Sequence, residues 1–113
     1  MNIQVFGTKK SFDTKKAQRY FKERRVKFQF IDLKEKGMSK GELESVARAV
    51  GGIDALVDPK AKDADTVSLL AYLSPDQKFD KLLENQHVLA EPGVRNGKQA
   101  TVGYAPDVWK TWE

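Results

Sequence analysis

The chain has 113 residues, 40% of them apolar and 32% charged, with a net charge of +4. This is the composition of one globular domain, without the low hydrophobicity of a disordered chain or the Pro/Gly bias of a fibrous one. The lack of cysteine excludes disulfides, thiolate metal sites, iron–sulfur clusters and any mechanism with a protein thiol as nucleophile.

Asn2 to Phe6 alternates, with Ile3 and Val5 on one face, and ends at Gly7, which predicts a strand. A loop, Thr8 to Phe12, follows. Asp13 or Thr14 is suited to cap a helix running to about Arg25, with Ala17, Tyr20 and Phe21 as its apolar stripe. The charge is concentrated here: residues 1–36 carry a net +7 and residues 37–113 a net −3. Such a run is either a solvated helix surface or a basic face for an acidic partner, with Arg19, Lys22, Arg24 and Arg25 at its centre. No aromatic residues interleave in an RNA-binding pattern, and no helix-turn-helix or zinc-finger spacing occurs, which argues against direct nucleic-acid binding.

Phe28, Phe30, Ile31 and Leu33 predict a second strand, so the first unit reads as a parallel βαβ crossover. Ser39 and Glu42 form a capping-box pattern. Leu43, Val46, Ala47 and Val50 then mark an amphipathic helix that Gly51-Gly52 stops. Ile53 to Asp65 is irregular, and Thr66 to Leu73 reads as a short helix. Ser74-Pro75 starts another, carrying Phe79, Leu82 and Leu83. Val88 and Leu89 are placed to begin a short strand. Asn96-Gly97, between Val94-Arg95 and Lys98 to Val102, is the strongest local signal and predicts an antiparallel hairpin. Pro106 opens a last helix bearing Val108, Trp109 and Trp112. The order is βαβ, three helices, then ββα. The fold class is α/β and thioredoxin-like: a four-stranded mixed sheet in one domain spanning 1–113, with a helical insertion at about 39–87. Ile3, Val5, Phe30, Ile31, Leu89 and Val102 are expected in its core. No apolar run approaches the roughly 18 residues of a membrane span, and no signal peptide is legible, so a cytoplasmic setting is expected.

Four motifs in this order resemble the arsenate reductase (ArsC)/Spx family. They are Phe6-Gly7 followed by Ser11 and the Lys15-Lys16-Ala17 helix start; Val26 to Leu33; Leu56-Val57-Asp58-Pro59-Lys60; and Glu91-Pro92 with Val102-Gly103-Tyr104 before a Trp-bearing helix. The resemblance places Lys10, Ser11, Thr14 and Lys15 in the family's active-site loop, Lys60 near an oxyanion-binding arginine, and Pro92 at a cis-proline position. The departures are chemical. The redox cysteine falls on Ser11, and the second cysteine of Cys-x-x-Cys members on Thr14. The arginine before the proline is Glu91, and Lys60 lacks a guanidinium fork. A serine hydroxyl has no comparable acidity and forms no disulfide, so thiol-dependent arsenate reduction is excluded.

Ser11 lacks a Gly-x-Ser-x-Gly context, and nothing in the sequence associates it with His87, the one histidine; no catalytic residue, metal site or cofactor is assigned. Ser11 is expected to satisfy backbone N–H groups at the helix start, and His87 to lie in a surface loop. Two functions remain. One is a non-catalytic interaction or regulatory protein using the basic first helix, with RNA polymerase one candidate partner by resemblance to Spx-like regulators. The other is a protein, or an enzyme, that binds a small oxyanion or glutathione in the vestigial cleft. Free N–H groups at a helix start favour an anion, but Glu91 opposes one if its side chain enters the same pocket.

Overall fold

The computed structural model describes residues 1–112. Its elements are β1 (Ile3–Gly7), α1 (Phe12–Glu23), β2 (Phe28–Asp32), α2 (Lys40–Ala49), α3 (Ala64–Leu70), α4 (Pro75–Glu84), β3 (Gly93–Asn96), β4 (Gln99–Val102) and α5 (Pro106–Trp109), with short 3-10 turns at Ile53–Leu56, Gln86–Val88 and Lys110–Trp112. The strands form one sheet in the order β2-β1-β3-β4. β1 runs parallel to β2 and antiparallel to β3, and β3 turns through Asn96-Gly97 into antiparallel β4. Gly97 takes a φ of 60°, as the tight turn requires. The sheet is mixed and four-stranded, as the sequence predicts.

Strand alternation divides the core. Ile3 and Val5 face α1 and α5, where they join Ala17, Tyr20, Phe21, Val94 and Trp109. Phe6 faces the other way, with Ile31, Leu43, Val46, Leu56, Leu82 and Leu89 of the helical side. Phe30 and Val102 are only half-buried, because both lie on edge strands. A polar relay ties α2 to the sheet. Gln4 Nε2 donates to Glu42 (3.0 Å), Arg95 Nη1 donates to Gln4 Oε1 (2.7 Å), and Arg95 Nε donates to Ser45 Oγ (3.2 Å). Burial raises the Glu42 pKa, but the Ser39 backbone N–H and hydroxyl, Gln4 and the Arg95 charge outweigh it and hold the carboxyl below its ordinary value.

Several local expectations are corrected. Neither Asp13 nor Thr14 caps α1. Ser11 does, as expected of it at the helix start, its Oγ accepting from the Thr14 N–H at 3.2 Å, which leaves Thr14 in the first turn and fully buried. α1 ends in a Schellman geometry. The Val26 N–H reaches Phe21 O (2.9 Å) and the Arg25 N–H reaches Lys22 O (3.1 Å), with Arg25 at φ 57°. α3 starts two residues before Thr66, because Asp63 caps it, and ends at Leu70. Val88 and Leu89 do not begin a strand. Val88 closes a 3-10 turn, and Leu89 makes one isolated antiparallel bridge with Val57. The capping box at Ser39 forms as predicted; Ser74 caps α4 as expected, and Gln77 adds a second capping box there.

Candidate functional site

The loop between β1 and α1 is built around Thr14 and Glu91. Gly7 admits this packing: a Cβ at Gly7 would overlap the Thr14 side chain, reaching 2.7 Å from its Cγ2 and 3.0 Å from Glu91 Oε1. Glu91 precedes the buried Pro92, and the peptide between them is cis. Its carboxylate turns into the loop. Oε1 accepts from the Thr8 backbone N–H and from Thr14 Oγ1 (3.1 Å), and Oε2 accepts from Thr8 Oγ1 (3.1 Å). The protein's own carboxylate therefore takes donors that an external oxyanion would need.

Beside this loop lies an open cleft lined by Ser11, Asp13, Asp58, Lys60, Lys62, Asp63, His87 and Glu91 among others. Ser11 and Lys60 both line it. Lys10 and Lys15 are exposed and do not line it; Lys15 instead lies 5.7 Å from the Phe12 ring. Four carboxylates against two lysines make the cleft a poor trap for an anion. His87 is exposed and sits in a 3-10 turn, and it lines the same cleft as Ser11, a proximity that no local pattern of residues signals. No hydrogen bond joins the two among the described residues. Ser11 Oγ caps α1, and His87 Nε2 lies 2.8 Å from Asp63 Oδ2.

Asp63 is held well below the ordinary aspartate value of 3.8, at about 2, chiefly by the His87 hydrogen bond and then by the Thr66 hydroxyl and N–H. A carboxyl whose folded pKa is depressed adds stability above its unfolded pKa and loses it as pH falls through the folded value. The stability advantage of the native chain over Asp63→Asn is therefore expected to hold at about pH 4–5 and to vanish by about pH 2. Denaturant unfolding of both proteins across that range checks it; a difference that does not change with pH contradicts the assignment.

The basic residues of α1 and of the turn that ends it form a separate surface. Lys15, Lys16, Arg19, Lys22, Arg24 and Arg25 are all exposed, and none makes a salt bridge among the described residues. The described residues contain no cluster of three metal-ligating side chains and no helix long and apolar enough to cross a membrane.

No family model matches the chain, and no curated protein does. Solved structures do. An arsenate reductase from Vibrio cholerae is 21% identical, with a TM-score of 0.82, covering 96% of this chain and 94% of its own. A Bacteroides fragilis protein described as ArsC-family related is 15% identical, with a TM-score of 0.84 over 100% and 98% of the two chains. A Staphylococcus aureus protein is 23% identical, with a TM-score of 0.77 over 96% of each. The architecture is thus a thioredoxin-like α/β fold. In particular it is the fold of the arsenate reductase structures, carried here by a chain without cysteine.

Proposed function

We propose that this chain is a non-catalytic interaction protein that docks an acidic partner protein on the exposed face of α1. The observation that carries this reading is the row of exposed cations from Lys15 to Arg25, free of salt bridges among the described residues, on a chain whose net charge is otherwise negative beyond residue 36. The loop supports it: the residue in the cysteine position is occupied as a helix cap, and Glu91 fills the loop behind it. By resemblance to Spx-like regulators, RNA polymerase is one candidate partner, and binding of this kind has no thiol switch. The second reading, an oxyanion or glutathione ligand in the vestigial cleft, draws on Ser11 and Lys60 lining one space, and is opposed by the carboxylates around them.

The test compares binding of purified bacterial RNA polymerase, and of acidic proteins captured from a bacterial extract and then purified, to the native chain and to the triple variant Arg19→Glu, Lys22→Glu, Arg24→Glu. Reversing three exposed charges is expected to weaken binding at least about tenfold and to flatten its salt dependence. Partners held with equal affinity and an equal salt slope by both proteins overturn the reading.

A further inference from the structure

β4 is an outer strand of the sheet, so one of its edges faces no other strand. The hairpin decides which groups lie on that edge. Asn96 pairs with Gln99 across a two-residue turn, and the Gly103 N–H donates to Pro92 O at 2.8 Å. Gln99, Thr101 and Gly103 therefore point their backbone groups at β3. The N–H and C=O groups of Ala100 and Val102 point away from the sheet, and among the described residues they have no backbone partner. β2, the other outer strand, is closed by its own turn. The Asp32 carbonyl accepts from the Glu35, Lys36 and Gly37 N–H groups, and the Asp32 carboxylate accepts from the Lys34 N–H.

A groove of about 260 Å³ opens at the start of β4, with Lys98, Gln99 and Ala100 along its floor. One wall is Ala49, at the end of α2. The other is Val108 and Trp112, from α5 and the turn after it. α2 and α5 pack on opposite faces of the sheet, so the groove straddles the strand edge. Val108 is apolar yet 44% exposed there. The lining holds one cation, Lys98, and no carboxylate. The volume is below the roughly 300–1,000 Å³ of small-molecule sites.

We propose that the β4 edge is a separate docking site, which takes a short extended segment of a partner protein as an added fifth strand, with an acidic residue of that segment over Lys98. Each feature selects this occupant. Unpaired N–H and C=O groups on alternate residues are satisfied by another extended backbone, not by a helix. Apolar walls on both faces receive the alternating side chains of such a strand. A cation with no carboxylate beside it favours an acidic residue at the segment's end. A second copy of this chain fits less well, because lysine at an edge discourages self-pairing and a four-residue strand offers little area to a dimer. The site draws on none of the basic face of α1, so either can fail without the other.

The test is an amide NMR titration of the full chain with acetyl-Glu-Val-Thr-Val-Thr-Glu-amide, and with the same peptide carrying lysine in place of both glutamates. The expected result is saturable shifts at Lys98 to Val102 and at the Trp112 indole, with the lysine peptide at least about threefold weaker. Ala100→Pro removes one outward N–H and leaves the β3–β4 ladder intact, a change that edge strands tolerate. It is expected to bind the glutamate peptide at least about fivefold more weakly. Val108→Glu, on the exposed wall of the groove, is expected to do the same, and decides the matter if the proline variant does not fold. Equal affinity in the folded variant, equal affinity for the lysine peptide, or shifts that spare β4 overturn the proposal, as does the absence of any shift at millimolar peptide. Concentration-dependent shifts of β4 in the chain alone place a second copy on the edge and also overturn it.

Discussion

Trp109→Ala is expected to lower stability by about 3–5 kcal/mol, and so to lower the melting temperature by about 12–20 °C. Trp109 is 1% exposed although it lies near the end of the chain. Its ring packs edge-on against Tyr20 (5.2 Å between centres) and Tyr104 (5.5 Å), and tilted against Phe21 (5.1 Å). Its Nε1–H donates to Thr101 Oγ1 at 2.7 Å in a buried hydrogen bond. Truncation opens a cavity between α1, α5 and the sheet and leaves the Thr101 hydroxyl without its donor. The cost combines lost transfer energy, an unfilled volume and an impaired polar group. Trp109→Phe restores part of the volume but not the hydrogen bond, so it should fall between the two. Chemical denaturation followed by near-ultraviolet circular dichroism measures the series. A loss under about 1 kcal/mol for Trp109→Ala would mean that α5 is not docked as described.

Glu91→Ala is expected to cost about 2–4 kcal/mol, or about 10 °C in melting temperature. Removing the carboxylate strips the acceptor from the Thr8 N–H, the Thr8 hydroxyl and the fully buried Thr14 hydroxyl at once. Leaving one partner of a buried polar contact behind costs more than deleting both. Glu91→Ala combined with Thr14→Val should therefore recover part of the loss, since valine fills the same space and asks for no acceptor. Equal losses in the single and the double variant would show that Glu91 acts by some means other than holding Thr14. The Asp63→Asn variant affects a half-buried group and the charge reversals affect exposed ones, and smaller or purely functional effects are expected of them.

The fold was legible because its signals are local and mutually consistent. Ile3 and Val5 alternate, Ser39 and Glu42 box a helix, and Asn96-Gly97 admits a positive φ. Where the structure departs from the expected elements, competing local signals are present. Asp13, Thr14 and Ser11 are all cap-forming residues, and the choice fell to Ser11 because Thr14 is drawn inward to Glu91. Val88 and Leu89 are strand formers, but their one partner is Val57, so the ladder stops at a single bridge.

The site was legible only in its chemistry. Ser11, Thr14, Lys60 and Glu91 stood out by residue type, and the absence of a thiol needs no coordinates. What the carboxylate of Glu91 does was not legible, because its contacts with Thr8 and Thr14 span 83 and 77 residues of sequence. The approach of His87 to the Ser11 cleft is equally long-range.

The central claim is that the protein's own carboxylate fills the β1–α1 loop and leaves binding to the face of α1. The most direct measurement is an amide NMR titration of the native chain with phosphate, arsenate and glutathione in turn. Unmoved resonances for Thr8 and for Ser11 to Thr14 at millimolar ligand are the predicted result. Saturable shifts confined to those residues and to the amides beside Pro92 would contradict it, and would place a ligand where Glu91 now sits.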